Sequence, residues 1–199
     1  MYGLLLLQDV FFFTDTKVLS TGAIAGFAAL EYFLAFRLMV VVAPLFLLPL
    51  TWIILAGRRL RWHRRYFDIL GLYVVIRMIA KLIGLNILLF DSVTSHFILI
   101  TQLLFFLPYA LLVWGWIYWR LDVASGSWNR PLFHLDHEGD LPRPVDYLVA
   151  SFSSALSPSF SGIKGNYARS RALVLLHGFM IYDVMGLTLS RAVALVQNR

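Results

Sequence analysis

Long apolar stretches alternate with short polar ones along this chain, and four of them are long enough to cross a lipid bilayer. They cover residues 34–57, 66–90, 96–119 and 172–196. A spanning helix needs about 20 mostly apolar residues, and each stretch supplies roughly that number. Pro44, Pro49 and Pro108 lie inside two of these stretches, and we expect a kink near each of them.

The first 33 residues are apolar, but they do not form a clear fifth span. Residues 18–33 are rich in glycine and alanine and include Glu31 near their end. Three interpretations stay open: an interfacial helix, an N-terminal extension of the first span, or an additional span. We favour the first two. The segment lacks the basic start and the small-residue cleavage site of a signal peptide.

The connection between the third and fourth spans contains a short apolar segment. Residues 121–144 are polar and rich in glycine and proline, and they predict an exposed loop. Residues 145–156 are apolar but too short to cross a bilayer, and Asp146 is placed to cap the start of a helix there. Residues 157–167 are rich in serine and glycine and lack a periodic pattern. A short helix followed by irregular backbone between two spans is typical of a re-entrant loop.

These segments predict an all-α integral membrane protein with four transmembrane helices and one re-entrant, pore-like helix and loop. We divide the chain into an N-terminal apolar segment (1–33), a two-helix transmembrane hairpin (34–95) and a C-terminal module (96–199). The module contains the re-entrant helix 145–156 and the loop 157–167.

The composition supports a membrane protein and excludes several other classes. Hydrophobic residues make up 60% and charged residues 14% of the chain, which is too apolar for a soluble enzyme and for a disordered chain. The absence of cysteine excludes disulfides, thiolate metal sites and a cysteine nucleophile. We assign the net charge of +6 to contact with anionic lipid headgroups and not to nucleic acid. The expected location is a bacterial-type inner or plasma membrane, and the lipid bilayer is the first expected partner.

Residues 151–163 carry a resemblance to a known family. They read SFSSALSPSFSGI, whereas potassium channels read SFxTxTTVGYGDI across the pore helix and filter. An arginine near the start of the last span, Arg169 or Arg171, matches as well. The stretch 96–196 therefore resembles the pore module of tetrameric cation channels, with outer helix, pore helix, filter loop and inner helix. The resemblance implies a homo-oligomer, a tetramer in that family, with inorganic cations as the permeating species.

Two departures from the family pattern affect the filter. Both filter glycines are replaced, by Ser159 and Ser161, and Pro158 removes a backbone donor behind the filter. We therefore do not expect a conventional potassium filter. The chain is also similar to a group of bacterial membrane proteins that have this loop, no glycine filter and a Leu-Leu-His run, here ending at His177. The filter-like loop is Ser157, Pro158, Ser159, Phe160, Ser161, Gly162 and Ile163.

The basic residues between the first two predicted spans conflict with a channel-like orientation. Five arginines, Arg58, Arg59, Arg61, Arg64 and Arg65, place that loop in the cytoplasm by the positive-inside rule. The re-entrant loop lies two spans later and would face the same side, whereas the pore loop of potassium channels faces outward. The sequence does not resolve this conflict.

Ionisable residues inside the predicted spans are functional candidates, because charges are costly in a bilayer. They are Arg77 and Lys81, which share a helical face, and His177 and Asp183. Three interpretations are open: a structural pair of Asp183 with Arg77 or Lys81, an ion or proton pathway, or side chains that reach the interface. We favour the structural pair.

A polar cluster in the loop before the short helix offers weak metal-ligand candidates. His134, Asp136, His137 and Glu138 have suitable ligand types, but their spacing matches no metal-binding signature, and a solvated acidic loop is the simpler interpretation. The serines of residues 151–161 lack the surroundings of a catalytic nucleophile. We expect no resident metal, no cofactor and no enzymatic activity.

The leading functional hypothesis is a divergent ion-channel-like protein that conducts cations passively through an oligomeric pore with a serine-rich filter. A non-conducting accessory or structural subunit of a larger membrane complex is the first alternative. A membrane metalloenzyme that uses the histidine and acidic loop is a distant third.

Overall fold

The computed structural model describes residues 2–15, 23–38, 41, 43–44, 47–48, 51–52, 63–90, 96–124, 131–135, 141–157 and 162–197, and this part is mostly helical. Its elements in chain order are α1 (Tyr2–Asp15), α2 (Ala23–Tyr32), a π-helical continuation of α2 (Phe33–Arg37), α3 (His63–Phe90), α4 (His96–Ala124), β1 (Phe133–Leu135), α5 (Pro144–Leu156), β2 (Ile163–Gly165) and α6 (Ala168–Gln197).

Within the described residues, two helical stretches are long and apolar enough to cross a membrane. They are Leu99–Ala124 in α4 and Ala168–Ser190 in α6. These helices contain most of the predicted third and fourth spans. Pro108 lies inside α4, and the helix continues past it.

The other two predicted spans differ in how far the structure describes them. The predicted second span, 66–90, is helical throughout, because it lies within the 28 residues of α3. The predicted first span, 34–57, lies mostly outside the described residues. Whether either segment crosses a membrane stays a prediction.

The chain forms two compact units. One contains residues 6–102, and the other contains residues 1–5 and 103–199. In the first unit, α2 packs directly on α3: a side chain added at Gly84 would collide with the ring of Phe27. The hydroxyl of Tyr73 donates a hydrogen bond to the carbonyl of Leu34 over 2.9 Å, at the π-helical segment. The amides of Gln8 and Gln102 each donate to the other residue's backbone carbonyl.

In the second unit, local signals account for where α5 begins. Pro144 stands in the first turn, where its missing N–H costs no hydrogen bond. The Asp146 carboxylate accepts a hydrogen bond from the Arg143 backbone N–H over 2.6 Å, so the predicted capping role of Asp146 is confirmed. The face that α5 buries consists of Tyr147, Ala150, Ser151, Ser154 and Ala155.

Two segments that the sequence predicts as loops contain regular structure. In the polar segment 121–144, α4 continues to Ala124 and Phe133–Leu135 forms β1. In the irregular segment 157–167, Ile163–Gly165 forms β2, which pairs antiparallel with β1 so that Leu135 lies opposite Ile163. Each strand has only three residues, so its alternation of buried and exposed positions is too short to stand out in the sequence.

Candidate functional site

Helix α5 packs closely against α4 along its buried face. The hydroxyl of Ser151 donates a hydrogen bond to the Leu111 carbonyl over 2.9 Å. A Cβ added at Gly115 would lie 2.9 Å from the Cα of Leu148, closer than real Cβ atoms come. The glycine on α4 therefore allows the two backbones to approach.

Gly162, which follows α5 in the chain, lies close to that helix. The Ser157 backbone N–H donates to the Ser153 carbonyl and ends the helix. Five residues later, a Cβ on Gly162 would lie 3.0 Å from both the Ala150 carbonyl oxygen and the Ser153 Cβ. Gly162 therefore lies beside the middle of α5, not beyond its end.

The structure describes three residues of the filter-like loop. Ser157 and Gly162 are half-buried, and Ile163 is 1% exposed in β2 opposite Leu135. The backbone of Ile163 is therefore not irregular as expected, because it pairs with β1 and its side chain packs in the interior; the filter-like role of the loop stays a prediction. Pro158, Ser159, Phe160 and Ser161 lie outside the described residues.

The β1–β2 pair is fixed to the start of α6. The Arg171 guanidinium donates from Nε to the Gly165 carbonyl over 3.1 Å. A Cβ on Gly165 would lie 2.4 Å from the Arg171 backbone nitrogen, so glycine is required for this approach. The chain after β2 is also bonded to the chain before β1, since the Asn166 backbone N–H donates to the Leu132 carbonyl over 3.0 Å. Arg171, one of the two arginines in the family resemblance, thus has a structural contact.

A buried carboxylate connects α4, the chain before β1, and α5. Asp122 Oδ1 accepts a hydrogen bond from the Leu132 backbone N–H over 2.6 Å. Asp122 Oδ2 accepts one from the Tyr147 hydroxyl. Burial, together with this hydrogen bond to Asp122, raises the pKa of Tyr147 above its ordinary value.

His177 lies in a cluster of neutral side chains between α4 and α6. Its Nδ1 is 2.9 Å from the hydroxyl of Tyr118, and its ring stacks on Trp114 with the ring centroids 4.8 Å apart. The Trp114 indole N–H points at the sulfur of Met180 over 3.3 Å. Trp114 and Tyr118 are therefore interior residues.

Four ionised side chains meet in the unit formed by residues 6–102, and we call them the charge ring: Asp9, Glu31, Arg77 and Lys81. Arg77 Nη2 lies 2.7 and 2.6 Å from the two Asp9 carboxylate oxygens, and Arg77 Nη1 lies 2.9 Å from Glu31 Oε2. Lys81 Nζ lies 2.7 Å from Asp9 Oδ1 and 3.2 Å from Glu31 Oε2. Each cation therefore contacts both anions, and the four charges sum to zero.

The charge ring is buried, but not every atom in it has a partner. The side chains of Arg77 and Glu31 are fully buried, and those of Lys81 and Asp9 are 2% and 6% exposed. Among the described residues, Glu31 Oε1 has neither a hydrogen bond nor an ion pair. The Lys81 ammonium lies within ion-pair distance of both carboxylates without hydrogen-bond geometry, and it is 5.3 Å from the centre of the Phe12 ring.

The sequence identified half of the charge ring. Arg77 and Lys81 were predicted to be ionisable residues on one helical face, and both are buried on α3, while a functional role for them stays a prediction. Their expected partner was Asp183, which is half-buried on α6, whereas the structure pairs them with Asp9 and Glu31. The missed signal was Asp9 and Glu31, two of the three acidic residues inside the apolar first 33 positions.

The weak metal-ligand candidates are described only in part. His134 lies on β1 with its side chain exposed, opposite Lys164 on β2. Asp136, His137 and Glu138 lie outside the described residues. Within the part of the chain that the structure describes, no group of three or more histidine, cysteine or acidic side chains is arranged to hold a metal ion.

Comparison with protein-family models, with curated proteins and with solved structures found no match for this chain.

Proposed function

We propose that the chain is an integral membrane protein whose segment α4–α6 acts as the pore-like module of an oligomeric, passive cation channel. The observation that carries this proposal is the short helix α5, with Gly162 close beside its middle. At 13 residues α5 is about 20 Å long, too short to cross a bilayer. It stands in sequence between two helices that are long enough to do so.

The contacts around α5 support this arrangement. Irregular backbone at membrane depth is tolerated where it is buried in protein or lines a cavity. Gly162 meets the middle of α5, and Gly115 brings α4 against the same helix. A chain segment that enters the membrane and leaves on the same side requires close packing against the rest of the protein.

The residues in and after β2 have structural contacts and are not candidates for ion contact. Ile163 is held in β2, and the next residues are tied to Leu132 and Arg171. The candidate for ion contact is therefore the portion of the filter-like loop before Gly162, which contains serine hydroxyls and backbone carbonyls as oxygen ligands.

Flux from vesicles tests the proposal directly. The purified full chain is reconstituted into liposomes loaded with K⁺ or Na⁺, and cation release is followed after dilution into choline. We expect release that depends on the protein and follows the gradient. A folded, membrane-inserted oligomer that releases no cation would contradict the proposal.

A matched pair of glycine variants connects the flux to the contact between Gly162 and α5. Gly162→Val places a side chain where the Ala150 carbonyl lies, so this contact must open and the flux should fall. Gly26→Val on α2 meets no atom within 4 Å and serves as the control. Equal flux from both variants would show that conduction does not depend on this contact.

A non-conducting subunit of a larger membrane complex is the second candidate. The observation that favours it is the structural use of the loop within one chain, since Ile163 is buried and the Gly165 carbonyl is bonded to Arg171. Stable co-purification with one larger complex, together with absence of flux, would support this candidate over the channel.

A further inference from the structure

The carboxylates of the charge ring hold a second cation, Lys81, in addition to Arg77. Asp9 Oδ1 and Glu31 Oε2 both face the ammonium of Lys81, at 2.7 and 3.2 Å. The aromatic face of Phe12 lies 5.3 Å from the same nitrogen, within the range of a cation–π contact. Two carboxylate oxygens and an aromatic face are a set of groups that recognises a small cation.

Arg77 and Lys81 are held in different ways. The Arg77 guanidinium is fixed by directional hydrogen bonds to both oxygens of Asp9. The Lys81 ammonium has the proximity of an ion pair but no hydrogen bond of good geometry. Lysine also carries its charge as a point on a flexible four-carbon stem, whereas the planar guanidinium of arginine holds a fixed geometry. Lys81 is therefore the replaceable cation of the ring.

Glu31 has an unused ligand atom at this position. Its side chain is fully buried, and Oε1 has no partner among the described residues. Oε1 belongs to the same carboxylate as Oε2, which contacts the Lys81 ammonium, so it lies beside the site. An isolated buried acceptor costs free energy that a bound cation would recover.

We propose that Asp9 and Glu31 form a binding site for one small monovalent cation of the ammonium or potassium class. In the wild-type chain the Lys81 ammonium fills the site as a tethered occupant, and a free cation binds by displacing it. This site is separate from the contact between Gly162 and α5, and it does not depend on the proposed channel function.

Charge and size both select the class of ligand. Two carboxylates and Arg77 leave one negative charge, which one monovalent ion neutralises and a divalent ion overcompensates. The two contact distances, 2.7 and 3.2 Å, also exceed the about 2.0–2.1 Å of Mg²⁺ and the about 2.3–2.6 Å of Ca²⁺ to oxygen.

The experiment uses the full chain with Lys81→Met, which removes the tethered occupant and keeps an apolar stem of similar size. The thermal unfolding midpoint in detergent is followed by tryptophan fluorescence while K⁺ or NH₄⁺ replaces choline at constant ionic strength. We expect a saturable rise of the midpoint, because a ligand that binds only the folded state stabilises it. In the wild-type chain the same rise requires higher cation concentrations, since Lys81 competes.

The matched control combines Lys81→Met with Glu31→Gln, which leaves Asp9 paired with Arg77 and no net charge. This double variant should not respond to K⁺ or NH₄⁺. The proposal is overturned by a flat response of Lys81→Met, by an equal response of the double variant, or by a larger response to Ca²⁺.

A second variant covers failure of Lys81→Met to fold. Lys81→Gln is purified once in potassium chloride and once in choline chloride, and the yield of folded protein is compared by size-exclusion chromatography. A higher yield in potassium supports the site. An equal yield in both salts, or no folded protein in either, overturns it. Measured cation flux through reconstituted wild-type protein tests the channel separately, so the two proposals can fail independently.

Discussion

The two units of this protein bury polar groups in different ways. In residues 6–102 the buried polar groups include four full charges, which are tolerated because they sum to zero. In residues 103–199 the cluster around His177 is neutral and depends on single contacts with Tyr118 and Trp114. The four charges of the first cluster therefore stabilise the fold collectively, because removal of any one of them leaves a net charge on the other three. In the second cluster, each substitution removes only the contact that its own side chain makes.

The largest effect should come from removing the cation that contacts both carboxylates most directly. Arg77→Met leaves the ring with a net charge of −1 in a buried site. Removing one partner of a buried ion pair costs about 3–5 kcal/mol, so the unfolding midpoint in detergent should fall sharply or folded protein should be lost. Arg65→Met, on the same helix α3 but exposed, is the control and should change stability by less than about 0.5 kcal/mol. Similar losses in both variants would show that the ring is not a collective feature.

Tyr147→Phe tests an intermediate case, in which a neutral hydroxyl donates to a buried carboxylate. Asp122 Oδ2 loses its donor, and the expected cost is about 1.5–3 kcal/mol, the range for hydrogen bonds to charged groups. The control is Tyr32→Phe, which changes an exposed tyrosine. If Tyr147→Phe lowers the free energy of unfolding no more than the control does, the hydrogen bond between Tyr147 and Asp122 does not stabilise the fold.

The same variant should change the dependence of stability on pH. The pKa of Tyr147 is raised in the folded state, and an unfolded tyrosine has a pKa near 10. The contribution is therefore complete below about pH 10, and it is lost as the pH rises above this value because only the unfolded state then releases the proton. The stability difference between wild type and Tyr147→Phe should narrow above about pH 10, and a difference that stays constant would contradict the assignment.

A substitution at Gly165, where β2 contacts the start of α6, should destabilise the protein nearly as much as Tyr147→Phe. Gly165→Ala places a Cβ 2.4 Å from the Arg171 nitrogen, which forces the β1–β2 pair and the start of α6 apart. Overpacking of this kind costs about 1–3 kcal/mol. Gly186→Ala on α6 meets no atom within 4 Å, and it should stabilise the helix by about 0.5–1 kcal/mol. Thermal unfolding of the two variants should therefore move in opposite directions.

The smallest effect should come from the neutral cluster. Tyr118→Phe removes one uncharged hydrogen bond to His177 Nδ1, worth about 0.5–1.5 kcal/mol, and leaves the stacking on Trp114 in place. Tyr167→Phe, at an exposed position, is the control. A loss as large as that of Arg77→Met would show that the neutral cluster is as collective as the charge ring.

Local signals in the sequence account for most of what was predicted correctly. Hydropathy located the helices α4 and α6, spacing placed Arg77 and Lys81 on one face, and Asp146 marked the start of α5. These features depend on neighbours within a few residues. Their prediction required no knowledge of how the helices pack.

The remaining features depend on residues that are distant in the chain. Asp9 and Glu31 reach Arg77 and Lys81 only because α1 and α2 pack on α3, and no spacing rule relates positions so far apart. The β1–β2 pair joins two three-residue segments, too short for a periodic signal. Trp114 and Tyr118 are buried by contacts with α6, which no local pattern within α4 specifies.

The central claim is that the charge ring is stable because its charges balance, and a double-mutant cycle tests it most directly. Glu31→Gln leaves a net charge of +1, Lys81→Met leaves −1, and the double variant restores zero. In choline-based buffer, where no small cation fills the site, the account predicts that the double variant unfolds at a higher temperature than either single variant. Additive losses, with the double variant the least stable of the three, would contradict the claim.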